Sequence, residues 1–333
     1  MDSSFRSYQA SSSKFDCALF DIDGVLVDIR KSYNMAIKKT VDFMLCHATR
    51  SNRLNGLVTN NMILKFRQTG GFNNDTDTSY AITVGLLAIE GGLEKNKTNT
   101  ICNQSAVTKK QAREFLYSMI RNADESGIVS VEKYLSSCGF DIRRYKSILA
   151  YPAPVIQSIL GRVFDEIFYG PELFRKRNGV EPKYYTGKPM IENDKLVVRK
   201  NTLEKMSRVF GRKLAIVSGR SWTAAEYSLK SLLTYFDLDA SVFLEDEKRE
   251  YAKPSTYALK KAMRTFDAKT AVYAGDSTED LLMARRAEKE TGGKITFLGI
   301  YGCSSEPTES ARKLRKNGAD AVIKSVNLLP AVI

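Results

Sequence analysis

Histidine and tryptophan are nearly absent, with one of each in 333 residues. A histidine triad or a multi-histidine metal site would have to be built on His47, which stands beside Cys46 in a helical pattern and reads as a surface or packing residue. Cysteine is sparse as well. Cys17, Cys46, Cys102, Cys138 and Cys303 are scattered, odd in number and without a CxxC pair. That excludes a structural zinc site or disulfide framework and fits a reducing, cytoplasmic compartment. No apolar run approaches the roughly 20 residues that span a bilayer. The first fourteen residues are Ser-rich and polar and lack the apolar centre of a secretory signal. Asp2, with only Arg6 and Lys14 as cations, argues against a mitochondrial presequence, so 1–14 is expected to be a disordered tail. Acidic residues are in deficit, 38 against 51 basic ones, for a net charge of +13. Yet pairs such as Arg143-Arg144, Lys260-Lys261 and Arg285-Arg286 are dispersed, with no zinc finger, arginine-rich run or RNA-binding aromatic motif beside them. A solvated basic surface, or one that attracts a small anionic substrate, is expected rather than a nucleic-acid partner.

What is present is an ordinary globular balance over a length that suits one large domain or two. The most informative stretch runs from Phe15 to Asp28, where the apolar run Cys17-Ala18-Leu19-Phe20 leads into Asp21-Ile22-Asp23-Gly24. If the run is a buried strand, the two aspartates emerge at its carboxyl end, where open α/β sheets place their ligands. Carboxylates at i and i+2 share one side of an extended chain. Two of them together are costly unless a cation or a shared proton compensates, which asks for a metal, an acid/base task, or both.

Further strands are expected at Leu214–Val217, Val242–Leu244, Ala271–Ala274, Ile295–Leu298 and Ala321–Lys324. Helical segments at Ser221–Thr234, Pro254–Phe266, Thr278–Lys289 and Glu309–Asn317 alternate with them. Such alternation predicts an α/β fold with a Rossmann-like parallel sheet and right-handed crossovers. The interval 31–197 does not alternate. Helical patterns recur there at Lys31–Cys46, Thr78–Ala88, Lys109–Arg121 and Pro154–Ile167, and polar Glu94–Thr108 reads as a flexible loop. A mainly α-helical cap at 31–197 is therefore expected, inserted in a core of 15–30 and 198–333.

Four expected strands lead into polar signatures that should converge along one sheet edge: Asp21 and Asp23; Ser218-Gly219-Arg220; Lys253-Pro254; and Gly275-Asp276-Ser277-Thr278-Glu279-Asp280. Asp21, Asp276 and Asp280 offer hard oxygen ligands suited to magnesium. Ser218 with its neighbouring backbone amides, and Lys253, suit phosphate oxygens. A carboxylate is then left to attack phosphorus and another to move protons.

This ordered set resembles the haloacid dehalogenase superfamily over 15–30 and about 198–333, including the phosphoglycolate-phosphatase-like members with an inserted helical cap. The resemblance implies Asp21 as nucleophile and Asp23 as general acid/base. It implies that Asp21, Asp276 and the Asp23 backbone carbonyl ligate Mg2+, with Asp280 holding the metal or its waters. Ser218, Gly219 and Lys253 would bind the phosphoryl group. Haloalkanoate dehalogenases lack an acid/base at the position of Asp23, so its presence speaks for phosphoryl chemistry. A Mg2+-dependent phosphatase for a small phosphorylated metabolite is expected. A phosphomutase on the same core stays open, as does a catalytically retired nucleic-acid- or protein-binding module.

Within the insert, Lys65-Phe66-Arg67-Gln68-Thr69-Gly70-Gly71-Phe72-Asn73-Asn74-Asp75 offers two glycines, two amides, an acid and flanking cations. It is similar to a GGFNND element of a microbial subgroup of these hydrolases, some named for or fused to histidine-biosynthesis enzymes, which implies histidinol phosphate as one candidate substrate. Thr76 stands where that subgroup has an aromatic. Gly71, Asn73 and Asn74 are candidate specificity residues; a helix-connecting turn with Asn and Asp caps is the alternative. Arg220 is a further candidate, read either as a phosphate contact or as an exposed residue at a helix start. Tyr169-Gly170 and Thr186-Gly187-Lys188 are possible lid loops. No membrane partner is expected, and the oligomeric state is open, a homodimer included.

Overall fold

The computed structural model describes residues 14–72, 74–96 and 106–333, the side chains of 92–96 excepted. The expected tail therefore lies almost wholly outside the described residues, as does most of Glu94–Thr108; Glu94 to Asn96 end a helix instead of opening a loop.

The chain enters through β1 (Cys17–Phe20) and a short strand β2 (Val27–Asp28). Among the described residues seven helices follow: α1 (Tyr33–Thr49), α2 (Asn60–Arg67), α3 (Asp75–Asn96), α4 (Lys109–Arg121), α5 (Ile128–Ser137), α6 (Arg143–Leu149) and α7 (Ile159–Asn178). The chain returns through β3 (Lys195–Leu196) and then alternates: α8 (Lys200–Phe210), β4 (Leu214–Ser218), α9 (Trp222–Leu229), β5 (Val242–Phe243), α10 (Tyr257–Thr265), β6 (Thr270–Gly275), α11 (Thr278–Thr291), β7 (Lys294–Ile300), α12 (Pro307–Lys316) and β8 (Ala321–Ile323). Six strands form one parallel sheet in the order β5-β4-β1-β6-β7-β8, with β1 at its centre. The expected α/β architecture is what forms.

Strand alternation explains how the sheet is covered. Ala18, Phe20, Ile216, Val272 and Ala274 join a core on one face, whereas Cys17, Leu19, Ala215, Val217, Ala271 and Tyr273 join a second core against α10 and α11. The first core runs on without a break into the seven-helix segment through Tyr33, Ile37, Met62, Phe66, Tyr80 and Phe168. Where the chain leaves for that segment and comes back, β2 and β3 pair antiparallel, Val27 opposite Leu196 and Asp28 opposite Lys195.

Several element ends differ from expectation for local reasons. Lys230 takes a left-handed φ of 51°, so the helix after Ser221 stops at Leu229 and continues as a 3-10 turn. Lys253 and Pro254 do not open a helix: α10 begins only at Tyr257, and Lys253 sits in the preceding turn. Tyr169-Gly170 is no loop but a break inside α7, where Gly170 has φ 69° and ψ 177° and Pro171 lacks the amide to continue the ladder. A side chain at Gly170 would also meet the Pro189 ring, 2.7 Å from its Cβ. His47 is exposed and stacks on Phe43, as a helix-surface residue should.

Candidate active site

The carboxyl ends of β1, β4 and β6 and the turn after β5 meet in one cluster. Asp21 follows β1 directly; its amide donates to the Ala274 carbonyl of β6 (2.9 Å), and the Ile22 amide turns back onto Asp21 Oδ1 (2.7 Å). The chain then winds tightly, with Val25, Leu26 and Val27 amides all donating to the Ile22 carbonyl at 2.8–3.2 Å. Gly24 makes this turn possible in two ways. Its φ is +76°, and a Cβ there would fall 1.9 Å from Asp276 Oδ2.

Lys253 is wholly enclosed, its Nζ 3.0 Å from Asp21 Oδ2 and 2.6 Å from Asp280 Oδ1. Asp280 also accepts from the Tyr273 hydroxyl (2.5 Å) and Ser277 Oγ (2.8 Å), and closes a capping box at the start of α11. Ser218 is buried at the end of β4, where its hydroxyl favours the charged form of Asp21 and accepts from the Arg220 amide at 3.3 Å. One oxygen from each of Asp21, Asp276 and Asp280 lies within 4.8 Å of the others.

Burial pushes Asp21 up to about 7, opposed by Lys253 and reinforced by Asp280 and Asp23. Asp276 rises well above the carboxylate range, through desolvation first and then the charges of Asp280 and Asp21. Burial would lower Lys253, but Asp21 and Asp280 outweigh it and hold the ammonium charged. Burial would likewise raise Asp280, yet Lys253, Tyr273 and Ser277 keep it low. One buried lysine thus faces three mutually repelling carboxylates. The surplus charge, the all-oxygen donor set and the close approach allowed by Gly24 fit a hard divalent cation such as Mg2+.

Asp23 points elsewhere. Arg220, 1% exposed, holds it with Nε at 2.9 Å and Nη2 at 2.6 Å, and the same guanidinium reaches Asp194 at 2.7 Å. Arg220 is therefore not an exposed helix-start residue: two carboxylates and Ser228 neutralise and bind it, so its burial is compensated. Desolvation raises Asp23, with Arg220 opposing and Asp194 and Asp75 adding to the rise. Asp194 in turn accepts from Ser228 Oγ (2.5 Å) and from Ser32 Oγ. These partners have no motif around them. Ser32 and Asp194 lie at the two ends of the helical segment, and only the return of the chain brings them together.

Two clefts flank the aspartates. The smaller, about 80 Å³, is bounded by Asp276, Arg67, Thr278 and Lys313 besides Asp21 and Asp23. The larger, about 260 Å³, runs from Asp21 and Asp23 past Gly219 and Arg220 to Tyr33 and Phe168. The Gly-Gly stretch reaches both through its ends. Arg67 pairs with Asp75 at 2.6 Å, and Asn74 lines the larger cleft while its Oδ1 caps α3 by accepting from the Thr76 and Asp77 amides (2.9 and 3.2 Å). Gly71 faces backbone instead. A Cβ on it would lie 2.5 Å from both Asp124 O and Gly127 N, so it packs a turn and borders neither cleft. Asn73 lies outside the described residues.

Comparison with known proteins bears on the family and the fold. No curated protein matches the chain. Among solved structures, phosphatase Tt82 from Thermococcus thioreducens is similar at 21% identity, over 91% of this chain and 99% of that one, with a TM-score of 0.53. An X-ray structure from the Northeast Structural Genomics Consortium is similar at 15% identity, over 95% of this chain and 98% of that one, with a TM-score of 0.58. At these identities both speak for the fold. The model of a haloacid dehalogenase-like hydrolase matches residues 15–288, most of the chain and all four strand-end signatures, and the chain belongs to that family.

Proposed function

We propose that the protein is a Mg2+-dependent phosphatase that hydrolyses a small phosphorylated metabolite through a phosphoryl group carried on Asp21. The observation that carries this reading is the division of labour at the β1 terminus. Asp21 sits among Lys253, Asp276 and Asp280, while Asp23, two residues on, is held apart by Arg220. Asp21, Asp276 and the Asp23 carbonyl would hold the ion with Asp280 behind them, and the ion would supply charge neutralisation for the phosphoryl oxygens.

Asp21 attacks phosphorus as the ester P–O bond breaks, and Asp23 gives its proton to the departing alkoxide. Water then attacks the same phosphorus, Asp23 takes a water proton, and Asp21 is released with inorganic phosphate. Ser218, Gly219 and Lys253 hold the phosphoryl oxygens. Desolvation of Asp23 favours the protonated form that the first step needs. The seven helices of 31–197 act as a lid over a core of 15–30 and 198–333, excluding water from the intermediate. The free thiols Cys17, Cys46, Cys138 and Cys303 suit a reducing, cytoplasmic setting.

The test is hydrolysis of an aryl phosphate with Mg2+ and then with EDTA, for wild type and Asp21→Asn. Turnover should stop with EDTA, return with Mg2+, and fall at least about a thousandfold in the variant, since removing a nucleophile costs several kcal/mol of barrier. Full activity in Asp21→Asn would overturn the mechanism. Phosphoryl transfer to a sugar phosphate without release of phosphate would make the enzyme a mutase.

A further inference from the structure

The larger cleft extends away from Asp21 and Asp23 into the lid, and its far end has a chemistry of its own. One wall is aromatic. Tyr33 stacks on Phe168 with centroids 3.9 Å apart, Phe164 lies parallel to Phe168 at 6.2 Å, and Tyr169 meets Phe168 edge-on at 4.9 Å. Among these rings sits Asp165 on α7, 3% exposed, whose Oδ2 has no hydrogen-bond partner among the described residues.

Each arginine bordering the cleft is already engaged. Arg220 holds Asp23 and Asp194; Arg177 holds Glu245 (3.2 Å) and Asp246 (2.8 Å); Arg249 holds Asp77 at 2.6 Å. That leaves Asp165, and Glu247 on the opposite wall, without an ion pair within 4 Å among the described residues; Arg177 and Asn178 act on the Asp165 carboxyl from one side, and its Oδ2 stays unsatisfied. A buried carboxylate oxygen without a partner is costly, and so persists where a ligand satisfies it. Aromatic faces favour positive charge through their quadrupoles; Tyr33 and Tyr169 already carry the Arg220 and Arg177 guanidiniums at 5.1 and 5.4 Å, which leaves Phe164 and Phe168 as the rings beside Asp165 for a further cation. Burial, with Glu245 next, pushes Asp165 up to about 8, and a cation beside it would oppose that rise.

We infer that the far end of this cleft is a binding site for an ammonium group, so that the preferred substrate is a phosphomonoester whose alcohol portion carries an amine. The phosphoryl end lies at Asp21 and Asp23, the amine lies between Asp165 and the Phe164–Phe168 wall, and the length of the cleft sets the separation. This substrate class rests on the phosphatase reading above; the presence of a cation site does not.

Turnover and binding separate the two. A ladder of ω-aminoalkyl phosphates of increasing length is assayed against n-alkyl phosphates with the same number of heavy atoms. At the best length, kcat/KM should favour the amine by at least about tenfold, the size expected of a desolvated cation–aromatic contact beside a carboxylate. Asp165→Asn, nearly isosteric, should bring that ratio close to one. A wild-type ratio at or below one at every length overturns the inference, whatever the variant does. If neither series is hydrolysed, the phosphatase reading fails. Calorimetric binding of both series to the Asp21→Asn chain then decides the cation site alone: tighter binding of the amines supports it, and equal binding overturns it.

Discussion

Arg220 shows what a single side chain contributes here. It is fully enclosed and shared by Asp23 and Asp194, so Arg220→Met should strand two carboxylates and destabilise the protein by about 3–5 kcal/mol. Urea denaturation measures this directly, and a loss below about 1 kcal/mol would show that the carboxylates find other partners. Asp165 is the opposite case, a buried acid whose ionisation opposes folding. Its folded value is raised to about 8 by burial, then by Glu245 and Glu166, against Arg177 and Asn178. The folded state therefore binds the proton more tightly than the unfolded chain, whose value is about 4. Stability from this group is fully present below about pH 4 and drains away as pH rises towards 8. Asp165→Asn should match wild type in Tm near pH 4 and exceed it increasingly up to pH 8; a constant difference would contradict the assignment.

At the scale of elements, the helical segment 31–197 owes its shape to contacts between turns as much as to helix faces. Gly71 brings the turn after α2 against the turn before α5, with Gly127 itself at φ +62°. Gly71→Ala must push two backbones apart, and overpacking of this kind costs about 1–3 kcal/mol. The loss should appear as faster amide exchange in α2 and α5 with the sheet unchanged; uniform loss across the sheet would point to another cause. The turn explains why Gly-Gly occurs there, while Asn74 and the Arg67–Asp75 pair are what that stretch presents to the clefts. Read as a string, the stretch supports both roles. A close approach to distant backbone and a ligand contact ask for the same small, polar residues.

For the molecule as a whole, the repulsion among Asp21, Asp276 and Asp280 would link folding to cation binding under the proposed function. Mg2+ at about a hundredfold excess over its Kd should stabilise the chain by about 2.7 kcal/mol, read as a rise in Tm. Asp276→Asn should raise Tm without Mg2+ and shrink the Mg2+ response; an unchanged response would move the ion elsewhere. The parallel sheet and its four strand-end signatures were legible because each rests on local chemistry. An apolar run must be buried, a strand must end at one edge of the sheet, and Asp21, Ser218, Lys253 and Asp276 each follow such an end within a few residues or a short loop. The helices of 31–197 were legible in part, since apolar periodicity marks α1, α3, α4 and α7 but leaves short α2, α5 and α6 below notice. Long-range pairing was not legible. Nothing near Arg220 announces Asp23 or Asp194, and Asp165 reads as one more polar residue on a helix until its aromatic surroundings close over it. The chain by itself determined that two aspartates would stand at a strand end with a lysine, a serine and two further acids around them. Only the tertiary structure decided that Asp21 faces the lysine while Asp23 faces an arginine, because pairing among buried charges depends on which loops the folded helical segment and sheet bring within reach.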